Sequence, residues 1–264
     1  MSFSVTLLGC GSSGGVPRVG SGWGRCDPAN PRNRRRRCSI LVERAGPDGR
    51  TTALVDTSPD LRDQLLDAEV QRIDAVLLTH DHADHTHGMD DLRPMVIHMR
   101  RVMPVYMDED TSRDILRKFG YCFESPPGSD YPPIAREFRI VLGHDVHIEG
   151  PGGTISATPI RVHHGQRDAL GFRVGGMAYT PDLNAIPDES LTALQGLDLW
   201  IVDALRPTPH PTHLSLPETL AWIDRLKPAR AVVTNLHTDL DYATLSRELP
   251  PNVVAAYDGL TLDF

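Results

Sequence analysis

Short apolar runs alternate with stretches of helical periodicity along the whole chain. Residues 3–8, 39–42, 52–55, 75–78 and 104–106 have the length and apolar content of buried strands, and 59–68 and 111–119 carry amphipathic helical spacing. Residues 125–133 are rich in Pro, Gly, Ser and Asp and read as a turn-rich connection. The second half repeats the pattern, with strands expected at 155–162, 171–174, 177–179, 199–202, 231–234, 253–256 and 260–262, and a helix at 242–248. Ser215-Leu216-Pro217-Glu218 is a capping-box signature with Pro in the first turn, opening a helix through Leu226. Many strands in each half with helices interspersed predict two packed sheets with helices outside. No low-complexity linker or charge block marks a boundary, so residues 1–264 are expected to form one domain.

The polar positions between these elements carry the chemistry. Five ligand-type residues fall in His80-Asp81-His82-Ala83-Asp84-His85, directly after a short strand. A tight turn at a strand end can aim His80 and His82 at one point and Asp84 and His85 at another. Neutral imidazole and carboxylate suit zinc, manganese or iron and serve calcium poorly. A merely polar loop has no need of three histidines. Further ligand types stand at other strand ends: His163-His164 after 155–162, Asp182 after 177–179, Asp203 after 199–202 and His237 after 231–234.

Gly9-Cys10-Gly11-Ser12-Ser13-Gly14 is a literal G-x-G-x-x-G after a strand. A dinucleotide site needs a helix next, and Val16-Pro17-Arg18-Val19-Gly20 is not helical.

The net charge of −8 and the pI near 5.8 exclude general nucleic-acid binding, which wants a basic face. The local exception is Arg32, Arg34, Arg35, Arg36 and Arg37, which form either a solvated basic loop or a phosphate-facing rim. The four cysteines, with no C-x-x-C pair, suit reduced thiols. Leu7-Leu8-Gly9-Cys10 superficially matches a lipoprotein cleavage site, yet no basic segment precedes it and its apolar run is too short. No segment approaches the roughly 20 apolar residues of a membrane span. A cytoplasmic protein is expected.

The full H-x-H-x-D-H motif resembles that of the metallo-β-lactamase-fold hydrolases. Within them the chain is most similar to the phosphoribosyl cyclic phosphate phosphodiesterases of phosphonate breakdown, the PhnP type. Shared segments run nearly end to end: Leu8-Gly9-Cys10-Gly11, Gly15-Val16-Pro17, Trp23-Gly24, Arg37-Cys38-Ser39, Val55-Asp56-Thr57, Gly88, Leu92-Arg93, Gly171-Phe172, His213 and Tyr257-Asp258-Gly259.

The resemblance implies a four-layer αββα sandwich with its site on one edge, holding two divalent transition-metal ions, Mn2+ or Zn2+. One ion would take His80, His82 and His164. The other would take Asp84, His85 and a late histidine, with Asp182 bridging and Asp56 fixing the tautomer of a ligating histidine. His213 matches the branch's catalytic histidine and is the expected general acid, with Asp84 essential to turnover.

Two departures stand out. The branch's cysteine-rich zinc loop after Trp-Gly retains only Cys26 here, so that structural zinc is expected to be lost. The late Thr-His ligand position reads Thr234-Asn235, which leaves His237, two residues on, as the expected substitute. The implied substrate is a small phosphodiester or nucleotide-like molecule, and a homodimer stays open. Rival readings are a lactone, thioester or RNA-processing hydrolase on the same scaffold, or a ligand-binding member without turnover.

Overall fold

The computed structural model describes residues 2–125 and 127–264. The first sheet takes β1 (Ser2–Gly9), β2 (Ser39–Gly46), β3 (Gly49–Val55), β4 (Ala75–Leu77), β5 (Met103–Met107) and β6 (Ala135–Arg139) in sequential order. The second takes β7 (Val146–Ile148), β8 (Ile155–His164), β9 (Arg167–Val174), β10 (Met177–Thr180), β11 (Leu199–Asp203), β12 (Arg230–Thr234) and β13 (Val253–Ala255). The last strand, β14 (Thr261–Asp263), returns to pair antiparallel with β1.

Strand alternation builds the layers, because successive side chains leave a strand on opposite faces. Ile40 and Val42 of β2, Ala53 and Val55 of β3, and Ala75 and Leu77 of β4 enter the core shared with the second sheet. Their neighbours Leu41, Leu54 and Val76 face the other way. There they meet Leu61 and Leu65 of α1 (Leu61–Asp67), Val96 of α3 (Arg93–Met99) and Ile115 of α4 (Glu109–Phe123), with the short α2 (Ala83–Thr86) between α1 and α3 in sequence. On the far side, Ile223 of α5 (Leu216–Leu226) and Leu245 of α6 (Tyr242–Glu248) join the second sheet's core. The order helix, sheet, sheet, helix is the expected αββα sandwich.

Helix starts follow local chemistry. Asp108 caps α4 by accepting from the Thr111 amide at 2.9 Å. The predicted capping box opens α5, with the Ser215 amide donating to Glu218 Oε2 at 2.8 Å. The helix expected at 111–119 extends to Phe123, and that expected at 59–68 contracts to α1. β6, β7 and α3 were not expected from the sequence. In the connection expected at 125–133, Pro127 and Gly128 form a turn, while Pro126 lies outside the described residues. No helix among the described residues is long and apolar enough to cross a membrane.

Candidate metal centre

Two parallel stretches place the site. β3, β4, β5 and β6 run parallel, as do β10, β11, β12 and β13. In each stretch all the C-terminal ends therefore lie on one edge, where open α/β sheets collect their ligands. Asp56 follows β3, the His80–His85 run follows β4, Asp182 follows β10, Asp203 ends β11 and Asn235 follows β12. His164 ends the antiparallel β8.

The imidazoles are fixed from behind. The Nδ1–H of His85 donates to Asp56 Oδ2 at 2.7 Å, and that of His164 to the Thr212 carbonyl at 2.7 Å. His80 Nδ1 lies 2.9 Å from Thr79 Oγ1, whose own proton goes to Asp56 at 2.9 Å. The Nε2 atom of each of these three rings is therefore the unprotonated one, turned inward. His80 Nε2 is buried without a hydrogen-bond partner among the described residues. His164 Nε2 lies 3.3 Å from His82 Nδ1. His85 Nε2 faces only carboxylates, with Asp182 Oδ1 at 3.4 Å and Asp84 Oδ2 at 3.5 Å. A ring-nitrogen lone pair aimed at carboxylates, as at His85, repels them unless a cation lies between. This donor set fits divalent metal ions.

Asp182 divides the set. Its Oδ2 approaches His80 Nε2 at 3.8 Å and His164 Nε2 at 3.7 Å, while its Oδ1 faces His85. His80, His82 and His164 form one group of ligand atoms lying within 4.8 Å of one another, and His80, His85 and Asp182 form a second. A third joins His164, Asp182 and His213.

The electrostatics agree with this division. Burial drives the His80 imidazole well below its ordinary range, and the neighbouring His85 lowers it further. At His85 burial pulls the same way, but Asp182, Asp56 and Asp84 overcome it and raise the ring well above its ordinary value. A position that favours a proton this strongly favours any cation.

His213 Nδ1 donates to the wholly buried Asp203 at 2.8 Å. Burial would lower His213, yet Asp203 raises it to about 9.

The structure does not bring His237 to the cluster. Its Nε2 lies 2.6 Å from Arg18 Nη1 and its Nδ1 lies 3.0 Å from Asp239 Oδ2, so both ring nitrogens are engaged elsewhere. Asn235 occupies the slot instead. Its backbone is left-handed, with φ of 60°, and its amide donates to Asp182 Oδ1 at 3.2 Å and Asp203 Oδ1 at 3.1 Å. Asp203 was singled out at its strand end but given no role, and Thr79, an ordinary Thr next to the motif, was missed.

The five clustered arginines are engaged within the chain. Arg32 lies over the Tyr242 and Tyr257 rings, and Arg34 over Trp23. Arg35 is buried and donates to the Leu240 carbonyl at 2.7 Å. Arg36 pairs with Asp67, and Arg37 with Asp60.

Among solved structures, a protein described as a new diphosphatase from the PhnP family is 35% identical, with a TM-score of 0.89 over 100% of this chain and 98% of its own. The Zn2+-bound PqqB from Methylobacterium extorquens shares the fold at 20% identity and a TM-score of 0.78, over 99% of this chain and 100% of its own. An octanoyltransferase from Porphyromonas gingivalis is 32% identical over 261 residues, 96% of this chain and 50% of that protein. The chain thus spans half the length of that relative. The family model described as the beta-lactamase superfamily domain matches residues 51–235, which hold the His80–His85 run, His164, Asp182, His213 and Asn235. The chain belongs to the beta-lactamase superfamily and has the metallo-β-lactamase fold.

Proposed function

We propose that the chain is a dinuclear metal-dependent phosphodiesterase acting on a small sugar or nucleotide (cyclic) phosphodiester. The observation that carries this reading is the split carboxylate of Asp182, one oxygen toward His80 and His164 and the other toward His85. His80, His82 and His164 would hold one ion and Asp84 and His85 the other, with Asp182 shared. Bound there, divalent ions supply Lewis acidity and a nucleophile at neutral pH.

The remaining work falls to the chain's own side chains. Asp56 and the Thr212 carbonyl lock the ligating rings in the required tautomers. Asn235 holds Asp182 and Asp203 in place through its amide. His213, oriented by Asp203, would donate a proton to the leaving oxygen as the P–O bond breaks. Its 15% side-chain exposure keeps it in reach of a substrate.

The likeness to a PhnP-family diphosphatase supports phosphorus chemistry. Octanoyl transfer is not proposed. Burial raises the thiols of Cys10, Cys26 and Cys38, and that of Cys122 to about 11. Half of that relative lies outside the match. RNA processing is disfavoured by the acidic balance.

The test is a substrate panel on protein reloaded with Mn2+ or Zn2+, comparing cyclic nucleotides, dinucleotides, a lactone and a thioester. Turnover of the phosphodiesters is expected. Cleavage of the lactone or thioester alone would overturn the proposal.

A further inference from the structure

The two sheets end in four outer strands, and these are not alike. β14, β7 and β13 have three residues each, while β6 has five, Ala135-Arg136-Glu137-Phe138-Arg139. Among the described residues β6 pairs only with β5. The Met103 amide donates to the Ile134 carbonyl and the Ile140 amide to the Met107 carbonyl, both at 2.9 Å, so the even-numbered residues turn their peptide groups toward β5. Alternation then turns the amides and carbonyls of Ala135, Glu137 and Arg139 to the open edge. Such an edge is a template for a further strand. Its surroundings are apolar. Val102 and Leu116 line a groove beside Ala135 and Arg136, Phe138 stands in the strand, and Val141 and Leu142 follow it. Each of these five apolar side chains is more than a third exposed, and a gathering of this kind marks a partner surface.

The charges on the strand say which partner fits. Two copies of β6 that meet antiparallel about a two-fold axis, with their sheet faces continuous, must place one residue on the axis opposite its own copy. Centring on Arg136, Glu137 or Arg139 sets like charges opposite each other, which opposes pairing. Centring on Ala135 runs Glu137 onto Pro133, which has no amide proton to give. Centring on Phe138 sets ring against ring, and Glu137 against Arg139 once on each side of the axis. In that register Glu137 and Arg139 form the hydrogen-bonded pairs, because both turn their peptide groups outward. Phe138 takes the non-hydrogen-bonded position, where opposed side chains come closest. Glu137 Oε1 already accepts from Arg139 Nη2 of its own chain at 2.8 Å, so the four charges would close into one ring.

We propose that β6 is the interface of a homodimer, in which a second copy of the chain joins edge to edge, antiparallel and centred on Phe138, into one continuous sheet. The charged residues that would keep strange strands off this edge select a single register with its own copy. β6 stands two places from β4, whose end carries the metal motif, so the pairing is independent of the substrate reading.

The experiment is sedimentation equilibrium of the full chain over a wide concentration range, with the fold of each variant followed by circular dichroism. Wild type is expected at twice the 29.1 kDa of one chain. Glu137→Arg and Arg139→Glu each set like charges opposite each other on both sides of the axis, and each should weaken the dimer on the order of 100-fold. An equimolar mixture of the two variants brings opposite charges together again and should recover the dimer. Mixing would not mend an association lost through misfolding. Hydrogen exchange adds a second readout: the amides at 137 and 139 should exchange slowly in wild type and in the mixture, and fast in either variant alone. A monomeric wild type, a dimer that neither single variant weakens, or a mixture no more associated than its parts would overturn the proposal.

Discussion

Replacing Asp56 by Asn changes one atom and should remove one metal ion. Asp56 is wholly buried, with φ of 65°, a left-handed conformation that Asn adopts as readily as Asp. Backbone strain therefore cannot account for any effect. Asp56 Oδ1 accepts from the Thr79 amide at 2.8 Å and Oδ2 accepts from His85 Nδ1 at 2.7 Å. An Asn oxygen can keep the first bond, but its NH2 then faces His85 Nδ1, and two donors meet. The conflict resolves if His85 moves its proton to Nε2, where it points at Asp182 Oδ1, 3.4 Å away, and occupies the second ion's place. Loss of such a supporting contact weakens metal affinity roughly 10–100-fold, or about 1.4–2.8 kcal/mol. His80 should be spared, because Thr79 Oγ1 can still donate to the Asn oxygen. Competition of Asp56→Asn against a chromophoric chelator should show one ion weakened by that factor and the other held as in wild type. Wild-type affinity for both ions, or equal loss of both, would refute the tautomer argument.

Three further outcomes are expected. His213→Ala should slow substrates with poor alkoxide leaving groups on the order of 10²–10⁴-fold more than nitrophenolate esters, measured as kcat on matched diesters. Asn235→His should tighten the second ion roughly 10–100-fold in the same chelator competition, since imidazole is a better ligand than an amide and His tolerates a positive φ. Asp241 caps α6. Burial raises its carboxyl, but hydrogen bonds from Thr244, Asn33 and Asp27 outweigh this and lower it to about 2. A depressed folded-state value gives stability that is present above the unfolded carboxylate's range and lost as pH falls through about 2. The difference in Tm between wild type and Asp241→Ala should therefore shrink between pH 4 and pH 2.

The motif was legible because His80–His85 follows a strand whose three residues, Ala75, Val76 and Leu77, are apolar and buried on both faces. The same holds for Asp182 and Asp203, which follow runs buried along their whole length. β6 escaped notice because it is an edge strand, whose Arg136 and Glu137 leave no apolar alternation to detect. α3 begins Arg93-Pro94, a boundary signal, and buries only Val96, too little to show a helical stripe. Asn235 lies beside Asp182 and Asp203 while His237 is tied to Arg18 and Asp239, and spacing along the chain carries no information about such long-range partners. The arginine cluster was visible, but the Tyr242 and Tyr257 rings and the Leu240 carbonyl that engage it lie far off in sequence.

The central claim is a two-ion phosphodiesterase, and one titration tests it most directly. Metal-free protein receives Mn2+ or Zn2+ in fractions of an equivalent while hydrolysis of bis(p-nitrophenyl) phosphate is followed. The account predicts that turnover rises as the second equivalent binds and stays absent at every metal ratio in folded Asp84→Ala. Full turnover at one equivalent, or undiminished turnover in Asp84→Ala, would contradict it.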